Sequence, residues 1–430
     1  MKTTSVKGTN DFLPQDSKLR DYLQGQILST YISQGFGRIY TPVLEDIENL
    51  EKSDGGDNVS LIFKVLKRGE KLSSSIEQGD FSHLADIGLR YDLTLPLCRF
   101  YAEHKNSLPN PFKVIQMGNV YRAERPQKGR DREFVQCDID IFGSSSPNCE
   151  VELIDTTAEA LLKIGVGEFC IRINDRRLLR QVLLGCNFEQ KDLDSVCISF
   201  DKLDKIGCNG VVKELEEKGF DKIAISNFKS VVENLPKTVG ELRKICGESE
   251  EIRSLEYIIN SVEKLAEGKY SIRFDLSLVR GQGYYTGAVF EIESKDFSGS
   301  IGGGGRYDNL VGKFTGENVP AVGFSIGFER IFSILKNMGK TIDLGKDKVA
   351  IIYDNDNFVR CMEFAKGLKN QYDISMFERA KKFGKLLSKL EELGFVGYVV
   401  PSESGEVKFL GGKRWLFLVL TMVVLNLKKE

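Results

Sequence analysis

A chain of 430 residues, 41% hydrophobic and 28% charged, is too long for one simple core and has the make-up of a soluble globular protein of two or three domains. A net charge of −2 excludes a generally basic nucleic-acid coat, so any nucleic-acid contact must come from local patches. Nine scattered cysteines without a CxxC pair, beside only two histidines, argue against a protein-held metal and for reduced thiols in the cytoplasm.

The N-terminal MKTTSVKGTNDFLP has no apolar run and does not read as a secretory signal. Residues 16–33 place Leu19, Tyr22, Leu23, Ile27 and Tyr31 at helical spacing, with Gly35 where a C-terminal cap belongs. Residues 37–43 (GRIYTPV) predict a strand, and Pro42 inside it is tolerated only at an edge or an interface. The polar, glycine-bearing stretch 53–79 predicts a hairpin or loop over a site. In GLRYDLTLPLCRF, Arg90, Asp92 and Thr94 alternate with Leu89, Tyr91, Leu93 and Leu95, which predicts a strand with one polar face; Pro96 then opens a helix.

Residues 120–143, VYRAERPQKGRDREFVQCDIDIFG, predict a strand, a charged loop and a return strand. The loop holds Arg122, Arg125, Lys128, Arg130 and Arg132. Five positive charges repel one another unless an anion joins them, and guanidinium forks suit phosphate oxygens; a solvated charged turn is the plain alternative. On the return strand Gln136 and Asp140 share one face. A polar, acidic face among Val135, Ile139, Ile141 and Phe142 is costly unless something binds there. Pairing with the strand of Asp92 would give one acidic floor.

Residues 150–164 predict a helix and 169–173 a strand, and residues 180–266 are helical and charged throughout, a small insert. Strand patterns return at 271–278, in LVRGQGYYTGAVFEIES and in SIGGGGRYDNLVGKF, where Gly302 to Gly305 allow close backbone approach. PAVGFSIGFERIFSIL predicts a strand turning into a helix that carries Arg330, a plausible phosphate site. After a linker at 336–347, strands and helices alternate as in a small α/β domain. From Gly345 onward there are 15 Lys/Arg against 11 Asp/Glu, so this part is the basic one. The apolar stretch 415–427, interrupted by Thr421 and Asn426, is shorter than the roughly 20 residues of a membrane span, so no membrane partner is expected; a strand packed on the small domain is.

These residues carry a resemblance. KGTNDFLP, YTPVLE, the 120–143 stretch, RGQGYYTG, GGGRYDNL and GFERI stand in the order of a class II aminoacyl-tRNA synthetase, and more narrowly resemble the histidyl-tRNA synthetase family of bacterial type. The resemblance implies an α+β fold: an antiparallel sheet flanked by helices in a catalytic domain at 1–335, a helical insertion at 180–266, a linker at 336–347 and an anticodon-binding α/β domain at 348–430. It implies that Asp92 and Thr94 hold the substrate's α-amino group, Gln136 its carboxylate end, and Asp140 with Tyr285 its imidazole, with Tyr284 also in the histidine site. Arg122 and Arg330 would clamp the phosphates of ATP, Arg280 the α-phosphate under attack, and Arg125 and Gln127 would read the tRNA end. ATP with Mg²⁺ enters as substrate, without an organic cofactor or a protein-ligated metal; histidine, histidine tRNA and a second copy of the chain, in a cytoplasmic homodimer, are the implied partners. A non-catalytic relative, the regulatory subunit of ATP phosphoribosyltransferase, is the alternative. Two departures stand out: Gln282 and Gly283 where the family more often has Leu and Asp, and the terminal RWLFLVLTMVVLNLKKE, which matches nothing in the pattern.

Overall fold

The computed structural model describes residues 1–52, 57–127, 129–280, 283–338, 345–403 and 406–411. Gln282, Lys128 and residues 415–427, on which some sequence expectations fall, lie outside that set. The chain forms two compact units, Met1–Lys340 and Thr341–Glu430.

In the first unit the strands are β1 (Gly37–Arg38), β2 (Leu44–Asp46), β3 (Lys64–Leu66), β4 (Ala85–Leu89), β5 (Phe112–Tyr121), β6 (Glu133–Phe142), β7 (Phe169–Asp175), β8 (Ser271–Phe274), β9 (Ala288–Ser294), β10 (Phe297–Arg306) and β11 (Ala321–Gly327). Eight of them build one sheet in the order β1-β5-β6-β11-β10-β9-β7-β8. Its centre is antiparallel, while β1 with β5 and β7 with β8 are parallel. Period-2 alternation divides β6 between two environments. Cys137, Ile139 and Ile141 are fully buried, against a layer formed by helices Pro14–Ser33, Asn148–Lys163 and Phe328–Asn337. Gln136, Asp138 and Asp140 fall on the opposite face and line a pocket.

Two strand expectations are corrected. The strand over 37–43 shrinks to Gly37–Arg38, because Pro42 has no N–H to donate and the carbonyls of Thr41 and Pro42 accept from the Arg90 guanidinium at 2.9 and 3.4 Å. The strand over Leu89 to Leu95 ends at Leu89, and Thr94–His104 is a helix. Asp92 lies in the turn before it, its Oδ1 accepting from Leu95 N–H at 3.1 Å, and Pro96 sits in the first turn where no donor is required. The segment does not pair with β6, whose neighbours are β5 and β11; β4 belongs to a separate three-stranded sheet, β2-β4-β3. Residues 57–77 form a short 3₁₀ helix, β3 and a helix, and Leu61 O accepts from Ala123 N–H at 2.8 Å, at the root of the charged loop.

Between β7 and β8 the chain runs through helices from Arg176 to Ala266, the first capped by Asp175 accepting from Arg177 N–H. In the second unit β12 (Lys348–Tyr353), β13 (Asp373–Glu378) and β14 (Phe395–Val399) are parallel, with β15 (Lys408–Phe409) antiparallel at the edge. Helices Phe358–Leu368 and Phe383–Glu392 make the crossovers. Ile351 packs with Cys361 and Ala365 on one face, and Ala350 and Ile352 with Leu390 on the other, the two-sided burial that parallel strands require.

Candidate active site

The pocket on the polar face of β6 has a volume of about 250 Å³. It gathers Asp92, Thr94, Arg122, Gln136, Asp140, Arg280, Tyr284, Tyr285 and Arg330, nine of the residues singled out from the sequence. Gln127 lies outside it, on the wall of an adjoining cleft of about 1640 Å³ that Arg130, Arg280 and Arg330 also line. Arg125 lines neither and is exposed.

One end of the pocket is acidic. Asp140 is 3% exposed, and its Oδ1 accepts from the Tyr307 hydroxyl at 2.5 Å; no hydrogen bond to Arg132 forms, whose Nε instead donates to Glu124 O at 3.0 Å. Across the ladder from Asp140 stands Gly323. A Cβ there would run into Asp140 Oδ1, so glycine is what lets the carboxylate lie flat on the sheet. Burial pushes the Asp140 carboxyl up to about 7, with Tyr307 acting against the rise and the Asp92 charge adding to it. Asp138 is raised well above its ordinary value by burial and then by Asp140. The aromatic wall is Tyr284, Tyr285 and Tyr307, with ring centroids 4.9 Å apart for the first two and 5.9 Å for Tyr284 and Tyr307. Gln136 Nε2 donates to Ser325 Oγ at 3.1 Å, and its Oε1 is buried with no partner among the described residues.

The other end is cationic. Arg122 Nε donates to Tyr91 O at 3.0 Å, and its guanidinium lies 5.1 Å from the Phe134 ring. Arg280 stands at φ 65, a left-handed backbone that costs a non-glycine residue about 1 kcal/mol or more. Its Nη1 donates to Glu291 at 3.1 Å, and the guanidinium occupies the space that a Cβ of Gly303 would take. Arg330, in the first turn of helix Phe328–Asn337, donates to Ser300 O and lies 5.6 Å from the Phe297 ring. That helix is held by Glu329, whose carboxylate takes both Arg20 nitrogens at 2.5 and 2.8 Å. Burial lowers the pKa of Arg330, and Arg130, Arg280 and Arg122 lower it further against the pull of Glu291. Arg122, Arg280 and Arg330 around one pocket, with the charge of Arg330 disfavoured by its neighbours, make an anion site.

At the loop tip Arg130 N–H donates to Gln127 O at 2.8 Å and Gln127 N–H to Arg130 O at 3.2 Å, while Arg130 pairs with Glu124 at 3.3 Å. Three further residues escaped the sequence reading, Asp138 and Tyr307 in the pocket and Glu291 on the adjoining cleft. Asp138 carries the same period-2 signal as Gln136 and Asp140. Tyr307 and Glu291 carry no local signal, because each is brought to the site only by strand pairing.

Comparison with known proteins bears on this arrangement. A family model described as histidyl-tRNA synthetase matches residues 8–331. The chain is 43% identical over 364 residues to the histidine–tRNA ligase of Leifsonia xyli, covering 82% of this chain and 84% of that protein. It is 34% identical over 429 residues to the histidine–tRNA ligase of Christiangramia forsetii, covering 94% and 93% of the two. Among solved structures, histidyl-tRNA synthetase from Nostoc sp. PCC 7120 superposes with a TM-score of 0.76 at 27% identity, over 96% of this chain and 97% of that one.

Proposed function

This chain belongs to the histidyl-tRNA synthetase family, and we infer from that premise that it charges histidine tRNA in two steps, with ATP as the energy source. The observation that carries the assignment of this pocket to the chemistry is its division of charge, with buried carboxylates at one end and guanidiniums at the other. Histidine brings an ammonium and an imidazole for the first end; ATP brings phosphates for the second. Asp92 and Thr94 hold the α-amino group, Gln136 the carboxylate, and Asp140 with Tyr284 and Tyr285 the imidazole. Arg122 and Arg330 clamp the phosphates, and Arg280 rests on the α-phosphate. The substrate carboxylate attacks the α-phosphorus in line, pyrophosphate leaves, and the terminal ribose hydroxyl of the tRNA then takes the histidyl group and releases AMP. Positioning and charge neutralisation by the arginines, with the Mg²⁺ that accompanies ATP, carry the first step without a dedicated protein base. Histidine-dependent ATP–pyrophosphate exchange by the full chain tests the reading; histidine binding without exchange would mark a regulatory relative.

The exposed tip with Arg125 and Gln127 is assigned to the tRNA end, since it projects beyond the pocket along the wider cleft. Gln127→Ala should slow aminoacylation by roughly one to two decades, the worth of one base contact, and leave adenylate formation intact. Equal losses in both reactions would remove the assignment. The anticodon is assigned to residues 348–430, and the two-fold seam of a homodimer to the segment at Tyr40 and Leu44, which are 74% and 49% exposed. Sedimentation of the full chain tests the second point. Among the described residues no helix is long and apolar enough to cross a membrane, and the cytoplasm is the compartment we assign to the protein.

A further inference from the structure

We propose that Asp138 is a further specificity-determining residue, a carboxylate on the pocket floor that binds the α-ammonium group of the amino-acid substrate together with Asp92. The proposal rests on the reading of the pocket as a histidine site and adds to it a residue whose chemistry that reading leaves unused.

Asp138 is 4% exposed, lines the pocket, and its Oδ1 is buried with no hydrogen-bond partner among the described residues. An acceptor in that state costs free energy unless a ligand supplies the donor. Two of the donors on adjoining elements are committed elsewhere. Gln116, directly across the ladder on β5, donates through Nε2 to Leu93 O at 2.8 Å and accepts from Thr41 through Oε1 at 2.7 Å. The Arg90 guanidinium serves the carbonyls of Asn119, Thr41 and Pro42. Ser325, across the other ladder on β11, gives the Asp138 carboxylate a side-chain hydrogen bond that lowers its pKa without offsetting burial, and Oδ1 is still left without a partner among the described residues.

Position along the strand selects the ligand group. Gln136, Asp138 and Asp140 project from one face, about 7 Å apart in succession. In histidine the order of groups is carboxylate, α-carbon with its ammonium, then imidazole. A substrate that sets its carboxylate at Gln136 and its ring at Asp140 among the tyrosines must bring the α-carbon past Asp138. An ammonium has three N–H bonds to satisfy in a buried place, and Asp92 beside Asp138 gives it a second carboxylate. The electrostatics agree: Asp140 and Asp92 both raise the Asp138 pKa, Arg122 lowers it, and a bound cation would relieve the first two.

The test compares histidine with imidazolepropionic acid, the same molecule without the ammonium. Dissociation constants are measured by calorimetry on the full wild-type chain, on Asp138→Asn and on Asp138→Ala, with melting temperatures of all three. Histidine should bind about 10- to 100-fold more weakly to both variants, the effect of one hydrogen bond to a charged group, while imidazolepropionic acid binds within about threefold of wild type or more tightly. Unchanged histidine affinity overturns the proposal, as does an equal loss for both ligands, which would assign Asp138 to the ring or to pocket shape. Wild type that binds histidine but fails in pyrophosphate exchange would sink the ligase reading and leave the judgement on Asp138 to the binding constants.

Discussion

Arg280→Met should lower kcat for histidine-dependent pyrophosphate exchange by about two to three decades, the usual effect of deleting one pre-set donor to a developing charge, while the KM for histidine moves less than about threefold. Three local features mark Arg280 as a residue held in place for a purpose. Its backbone sits at φ 65, a cost that persists only where the surroundings impose it. Gly303 leaves open the space into which the guanidinium folds. Glu291 at 3.1 Å and the hydroxyl of Tyr285 then fix its direction. Arg280→Lys should recover little, because a point charge on a flexible stem lacks the planar fork. A purely structural ion pair predicts otherwise: Arg280→Met and Glu291→Gln would then cost stability alike, and exchange per folded molecule would stay near wild type.

The sheet-borne half of this site is legible in the sequence because strand periodicity is a local signal. QCDID puts three polar side chains on one face whatever pairs with the strand, and the same alternation in β11 sets Gly327, Ser325 and Gly323 opposite Gln136, Asp138 and Asp140. The same signal misplaces Asp92 on a strand. R-Y-D-L-T alternates like a strand, but Asp92 sits in the turn that leads into a helix, its Oδ1 accepting from Leu95 N–H. The residue still reaches the pocket, by a turn in place of a ladder. What the sequence cannot show locally is space. That Gly323 is the room for Asp140, and Gly303 the room for Arg280, follows from strand registers set by residues far along the chain. In the second unit the alternation of strands and helices was readable because parallel strands buried on both faces leave apolar runs such as VAII.

Asp140→Asn should abolish most histidine activation, by about two decades or more in kcat/KM, and at the same time make the protein more stable above neutral pH. The first effect follows from chemistry: an amide of the same size removes the charge that an imidazole N–H would meet, and a buried mismatch of that kind is what discriminates substrates. The second follows from linkage. Burial lifts the Asp140 carboxyl to about 7 in the folded protein, against an unfolded value near 3.8. Between those two values the folded state keeps a proton that the unfolded state has lost, so this group's contribution to stability falls as pH rises through that window and its cost is complete above about pH 7. At most this is about 4 kcal/mol, and an unpaired amide N–H would cancel part of it, leaving about 2 kcal/mol. The melting temperature of Asp140→Asn should therefore lie somewhat below wild type near pH 4, where only the amide cost remains, and exceed it by several degrees at pH 8. Saturating histidine should narrow that gap by stabilising only the wild type. A carboxylate that held the sheet together through an ion pair would give the reverse, with the variant melting below wild type at pH 8 and regaining parity only in acid.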